Sequence, residues 1–116
     1  MLYKLRTGDI VICEDTDNKR TNMYLLTYDY FNGYGLRCLT CGDFVGSYKD
    51  NKELMKSDLL NFLHAVAVIP KEIMVAKVNS KIQLNYPIKV HDIVDSDNEP
   101  GIQIEISHVV GCNLGE

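Results

Sequence analysis

Apolar positions along this chain come in short blocks separated by polar turns, and most of the blocks have the length of strands. Ile10-Val11-Ile12-Cys13 follows Thr7-Gly8, and its β-branched content predicts a strand over residues 9–14. A polar loop, residues 14–20, comes next. Asn32-Gly33 divides two segments rich in aromatic and aliphatic residues, 23–31 and 34–41. Asn and Gly both tolerate positive φ, which predicts a type I′ hairpin with a two-residue loop. That register sets Phe31 opposite Tyr34, Tyr28 opposite Arg37 and Leu26 opposite Leu39. One face then carries Tyr24, Leu26, Tyr28, Tyr30, Arg37, Leu39 and Cys41. Both faces are substantially apolar, so something is expected to cover each side of the hairpin.

Farther along, Leu54, Met55, Leu59, Phe62 and Leu63 recur at nearly helical spacing and predict a helix over 52–63, with Ser57-Asp58 able to cap a shorter one. A strand over 65–69 ends at Pro70. Residues 71–84 read either as a hairpin about Asn79-Ser80 or as a helix opening at Pro70. Residues 87–94 and 101–110 predict a second hairpin. In its later arm Ile102, Ile104, Ile106, His108 and Val110 alternate with Gln103, Glu105 and Ser107, the period-2 pattern of a half-buried strand. The glycine-bearing tail, 111–116, is expected to fray. These elements add up to one mainly β (β-rich α+β) domain spanning 1–116: a bent antiparallel sheet or SH3-like barrel with one short helix.

With 116 residues, 46% hydrophobic and 24% charged, the chain has the make-up of a globular domain able to bury a core. No apolar run reaches membrane-spanning length, and residues 1–6 lack the apolar core of a signal peptide. A cytoplasmic protein is therefore expected. In that setting Cys13, Cys38, Cys41 and Cys112 read as free thiols or metal ligands rather than disulfides. The net charge of −4 is unevenly spread: residues 1–89 carry 12 Lys and Arg against 10 Asp and Glu, whereas 90–116 carry six acids and no Lys or Arg. The basic footprint of a nucleic-acid binder is absent, and the acidic end favours a basic partner.

Candidate chemistry is sparse. Cys38-Leu39-Thr40-Cys41-Gly42 has the form of half a zinc site, but zinc takes four ligands and no second pair is suitably spaced. The expectation is no metal and no cofactor, with Cys38 and Cys41 the candidates should one bind; otherwise the cysteines pack as small hydrophobes. Redox chemistry requires a lowered thiol pKa, as at a helix N-terminus, and 42–46 does not look helical. His64, His91 and His108 offer general bases without a local partner, and His108 falls on an apolar strand face. Asp95-x-Asp97-x-Glu99 lacks the glycine and the terminal Glu of a calcium loop and reads as an acidic turn. The remaining feature is aromatic: Tyr24, Tyr28, Tyr30, Phe31 and Tyr34, with Arg37 placed for a cation–π pair, suit a protein contact.

From Leu5 to Pro70 the chain resembles the small SH3-like barrels encoded by phages and prophages of low-GC Gram-positive bacteria. The resemblance is carried by Leu5-Arg6-Thr7-Gly8-Asp9-Ile10-Val11, the central hairpin, Tyr48-Lys49-Asp50-Asn51, Asp58-Leu59-Leu60 and the short strand ending in proline. It implies a fold and a mobile-element origin, carries no active site, and stops at Lys71. The function expected is a non-enzymatic binding protein acting on another protein, such as an inhibitor of a host defence nuclease. Its contact residues would be Tyr24, Tyr28, Tyr30, Tyr34 and Arg37, with Asp95, Asp97, Glu99 and Glu105 able to occupy a basic groove. A zinc-supported or nucleic-acid-binding regulator and a small Cys/His enzyme are the alternatives.

Overall fold

A computed structural model of the chain describes residues 2–17, 19–71, 88–94 and 100–104. The ambiguous segment up to Leu84 (beyond Lys71), the acidic residues Asp95, Asp97, Glu99 and Glu105, His108, and the tail with Cys112 lie outside these residues.

Eight strands and two helices are present among them: β1 (Leu2–Tyr3), β2 (Ile10–Asp15), β3 (Arg20–Asp29), β4 (Gly33–Cys38), β5 (Phe44–Tyr48), α1 (Asn51–Lys56), α2 (Leu59–Phe62), β6 (Ala65–Ile69), β7 (Ile88–Val94) and β8 (Gly101–Ile104). All pairings are antiparallel, in the order β1-β8-β7-β6-β2-β3-β4-β5. β7 pairs with β6 through Ile88 and Lys89 and with β8 through Val90–Val94, so it joins two antiparallel sheets. The protein is β-rich as expected, in the bent-sheet form. No closed barrel forms among the described residues, because β1 and β5 remain edges.

The helical segment contains two helices where the spacing predicts one. Asp50 caps α1, its Oδ1 accepting from the Glu53 N–H at 2.8 Å. Ser57 then stops it: the backbone is extended there, its N–H reaches the Glu53 and Leu54 carbonyls, and its hydroxyl donates to Leu54 O at 2.6 Å. A serine that satisfies the last carbonyls leaves no bonds for another turn, and α2 starts afresh after Asp58. Together the helices supply Leu54, Met55 and Leu60 to a core built on Leu5, Val11, Cys13, Leu26, Leu36, Val68 and Ile102. α1 lies against β4 and β5. Among the described residues no helix is long and apolar enough to cross a membrane.

Asp9 is the buried charge in this core, fully enclosed at 0% exposure. Its Oδ2 accepts from Tyr3 Oη at 2.8 Å and the Arg6 N–H at 2.8 Å, and its Oδ1 from the Lys71 N–H at 2.9 Å. Arg6 completes the shell at 3.5 Å. One carboxylate thus ties together the end of β1, the turn before β2 and the chain after β6.

The central hairpin departs from the expected register. The loop is three residues long, Tyr30–Asn32, and Asp29 pairs with Gly33, Tyr28 with Tyr34, Leu26 with Leu36 and Tyr24 with Cys38. Asn32 does not take positive φ; Gly33 does, at +86°. The competing force is the Asp29 side chain, whose Oδ2 accepts from the N–H groups of Phe31 (3.2 Å) and Asn32 (3.0 Å) and from Asn32 Nδ2 (2.9 Å). These bonds start the tight turn two residues earlier and push the left-handed residue to its end, as three-residue hairpins do. The pairing moves by an odd number of residues, so the strands exchange face partners. Leu26 and Leu36, both 0% exposed, now share the core face.

Candidate functional site

This register regroups the expected aromatic set, bringing Tyr34 to the face of Tyr28 and taking Arg37 off it. Tyr24 is half-buried on the core face opposite Cys38. Tyr28 and Tyr34 form a T-shaped pair with ring centroids 5.1 Å apart. Arg37 lies on the other face from Tyr28, and its guanidinium sits 4.9 Å from the Phe44 ring instead, which corrects the expected Tyr28–Arg37 stack. Residues 30 and 31 stand out at the tip. Tyr30 is 83% exposed and Phe31 88%, and their rings pack edge-on at 5.2 Å. Phe31 belongs to the aromatic cluster that the sequence offers; the two-residue loop places it in a strand pair opposite Tyr34, whereas here it stands in the loop.

Both rings stand on a braced turn. Beyond the three bonds to Asp29, the Ser47 hydroxyl donates to Asn32 O at 2.8 Å, tying the tip to β5. Asp29 Oδ1 pairs with Arg37 Nη2 at 3.3 Å, and Arg37 Nη1 donates to Gly42 O at 2.9 Å. At Gly33 an added Cβ would stand 2.6 Å from Tyr48 O, so only glycine fits between turn and neighbouring strand.

The second cluster surrounds the cysteines. β4 ends at Cys38, and residues 39–41 turn. Burial pushes the Cys13 thiol up to about 12, with the nearby Cys38 adding to it. Cys13, Cys38 and Cys41 are free thiols. Among the described residues no group of three or more His, Cys, Asp or Glu side chains is placed to hold a metal ion, so Cys38 and Cys41 gain no further ligand there.

His64 sits just past α2 with φ at +58°. Its N–H donates to Asn61 O, and its carbonyl accepts from the Glu14 N–H at 3.0 Å. The left-handed backbone therefore serves to end the helix and dock it on β2. The exposed His64 borders a polar cleft of about 250 Å³ with Glu14, Asp15, Asn22 and Tyr24. His91 lies in β7.

Compared with protein-family models, curated proteins and solved structures, the chain matches none of them. Its own geometry is what bears on function. Large exposed aromatics that add nothing to the core, mounted on a turn braced from three sides, suit contact with another macromolecule.

Proposed function

We propose that this protein is a non-enzymatic binding module that contacts another protein through the tip of the β3–β4 hairpin, with Tyr30 and Phe31 as anchors and Tyr28 and Tyr34 behind them. The observation that carries this reading is the pairing of high exposure with a fixed backbone. An exposed Phe gains nothing for folding, whereas a ring already held in place loses little freedom when a partner covers it. Tyrosine and other aromatics concentrate in binding hot spots for that reason. Loss of one such anchor costs about 2 kcal/mol or more, roughly a thirtyfold weaker complex.

The narrower version, a phage- or mobile-element-encoded inhibitor of a host system such as a defence nuclease, rests on sequence: on the resemblance over Leu5–Pro70 and on the acidic segment holding Asp95, Asp97, Glu99 and Glu105. Free thiols suit the reducing cytoplasm to which the same proposal assigns the protein.

The test is comparative capture from a lysate of the encoding cells, wild type against Tyr30→Ser/Phe31→Ser, with quantitative mass spectrometry. A protein retained by the wild type and lost by the folded double variant supports the reading. Equal recovery of every protein by both overturns it.

A further inference from the structure

A strand running through Cys41 would set Cys38 and Cys41 on opposite faces; the chain instead turns back on itself between them. The Cys38 N–H donates to Asp43 O at 2.8 Å and the Gly42 N–H to Cys38 O at 2.9 Å, with Gly42 at φ +84° allowing the reversal. The turn aims the Cys41 N–H at Cys38 Sγ, 3.5 Å away, and so folds the two cysteines into one tight reversal. Cys38 is only 6% exposed, whereas Cys41 faces solvent.

We propose that Cys38 and Cys41 form a reversible dithiol–disulfide site that exchanges with low-molecular-weight disulfides of the glutathione class. The solvent-facing Cys41, as thiolate, attacks one sulfur of the small disulfide; a mixed disulfide forms and one small thiolate leaves. Cys38, as thiolate, then attacks Cys41 Sγ and expels the second small thiolate. Two electrons pass from the two protein sulfurs to the small disulfide, and the two thiol protons end on the two small thiols. Reduction runs the same path backwards, starting with attack on the exposed Cys41 Sγ.

The local electrostatics divide these roles. The Cys41 amide, then the Cys41 side chain, hold the Cys38 thiol below its ordinary pKa, with the Thr40 and Gly42 amides adding to this against the pull of burial. For Cys41 the Asp43 amide works in the same direction, but its hydrogen bond to Cys38, desolvation and the Asp43 carboxylate outweigh it and leave the thiol raised. A stabilised Cys38 thiolate is the better leaving group, so the disulfide opens readily when Cys41 is attacked. It also favours the reduced form, the mark of a labile rather than a structural disulfide. Turn amides supply here what a helix N-terminus supplies elsewhere. Because Gly42 O accepts from Arg37, which also pairs with Asp29, the site abuts the bracing of the aromatic tip, though the proposal does not depend on that tip binding anything.

The folded full chain is equilibrated with reduced and oxidised glutathione at graded ratios, acid-quenched, alkylated and peptide-mapped. The expected product is an internal Cys38–Cys41 disulfide that forms under native conditions and returns to dithiol with excess reduced glutathione. Cys38→Ser is expected to accumulate at least about tenfold more glutathione adduct at Cys41 than the wild type, since nothing resolves it. Cys41→Ser is expected to leave Cys38 unmodified. No reaction, a lasting adduct on wild-type Cys41, or a disulfide to Cys13 or Cys112 instead would overturn the proposal. The wild-type map decides the matter even if a variant fails to fold.

Discussion

Replacing Asp9 by Asn keeps the shape of the side chain and removes half of its accepting capacity. In the native protein Oδ2 takes the Tyr3 hydroxyl and the Arg6 amide, while Oδ1 takes the Lys71 amide and faces Arg6 Nη2. An amide has one oxygen and one NH2 group, so in either orientation its NH2 confronts two donors. At least one backbone N–H, of Arg6 or of Lys71, then loses its acceptor inside the protein. Each buried donor left unpaired costs about 1–3 kcal/mol, and bonds to a charged acceptor are the stronger kind. The Arg6 guanidinium also loses its carboxylate. Together these give an expected loss of about 3–5 kcal/mol for Asp9→Asn, a large share of the roughly 5–15 kcal/mol that stabilises a domain. Tyr3→Phe removes the hydroxyl that donates to Asp9 and accepts from Arg6 Nη2 at 2.9 Å, but it leaves both backbone N–H bonds to Asp9 in place, so it should cost only about 1–2 kcal/mol. Urea denaturation of the three proteins measures the difference. A loss under about 1 kcal/mol for Asp9→Asn, or equal losses for the two variants, would refute the role assigned to this carboxylate.

Leu26→Ala should cost about 2–5 kcal/mol in the same assay, because it opens a cavity against Leu36 at the centre of the sheet; a loss under half a kcal/mol would contradict the register. Cys13 predicts an alkaline limit to stability. Its folded pKa is raised from 9.0 to about 12, so the neutral thiol's contribution is complete below pH 9 and is lost as pH climbs from there towards 12. Cys13→Val, similar in volume, should flatten that part of the pH–stability curve relative to wild type, and identical curves would count against it.

The sequence made strands legible where a block of β-branched residues had clear ends. Ala65–Ile69 appears with the expected boundaries, β2 within a residue of them, and the arms of β7 and β8 pair as expected over the described residues. The turn at Asn32-Gly33 was legible in place but not in type. Its Asn-Gly signal speaks only of backbone tolerance, whereas the deciding bonds come from Asp29, three residues upstream. An Asp placed four residues before a Gly was the available clue. β1 has only two residues and depends on β8, and β5 is interrupted at Gly46, so neither shows a run long enough to read. The aromatic cluster, Phe31 included, was visible as a candidate, but exposure depends on register, and a two-residue loop sets Phe31 in a strand pair rather than at the tip. The cysteine pair was legible as a spacing; that the Cys41 N–H points at the Cys38 sulfur follows from the turn at Gly42, which the apolar pattern extending through Leu39 concealed.

The most direct test of the account places a photo-crosslinking phenylalanine analogue at position 31, with a second protein carrying it at Glu53 on the exposed side of α1 as the control. Both are irradiated in a lysate of the encoding cells and the adducts identified by mass spectrometry. The expected result is a defined protein adduct from position 31 that is absent from position 53 and is competed away by unlabelled wild type but not by Tyr30→Ser/Phe31→Ser. The same adducts from both positions, or none from position 31, would contradict the assignment of the hairpin tip as the contact surface.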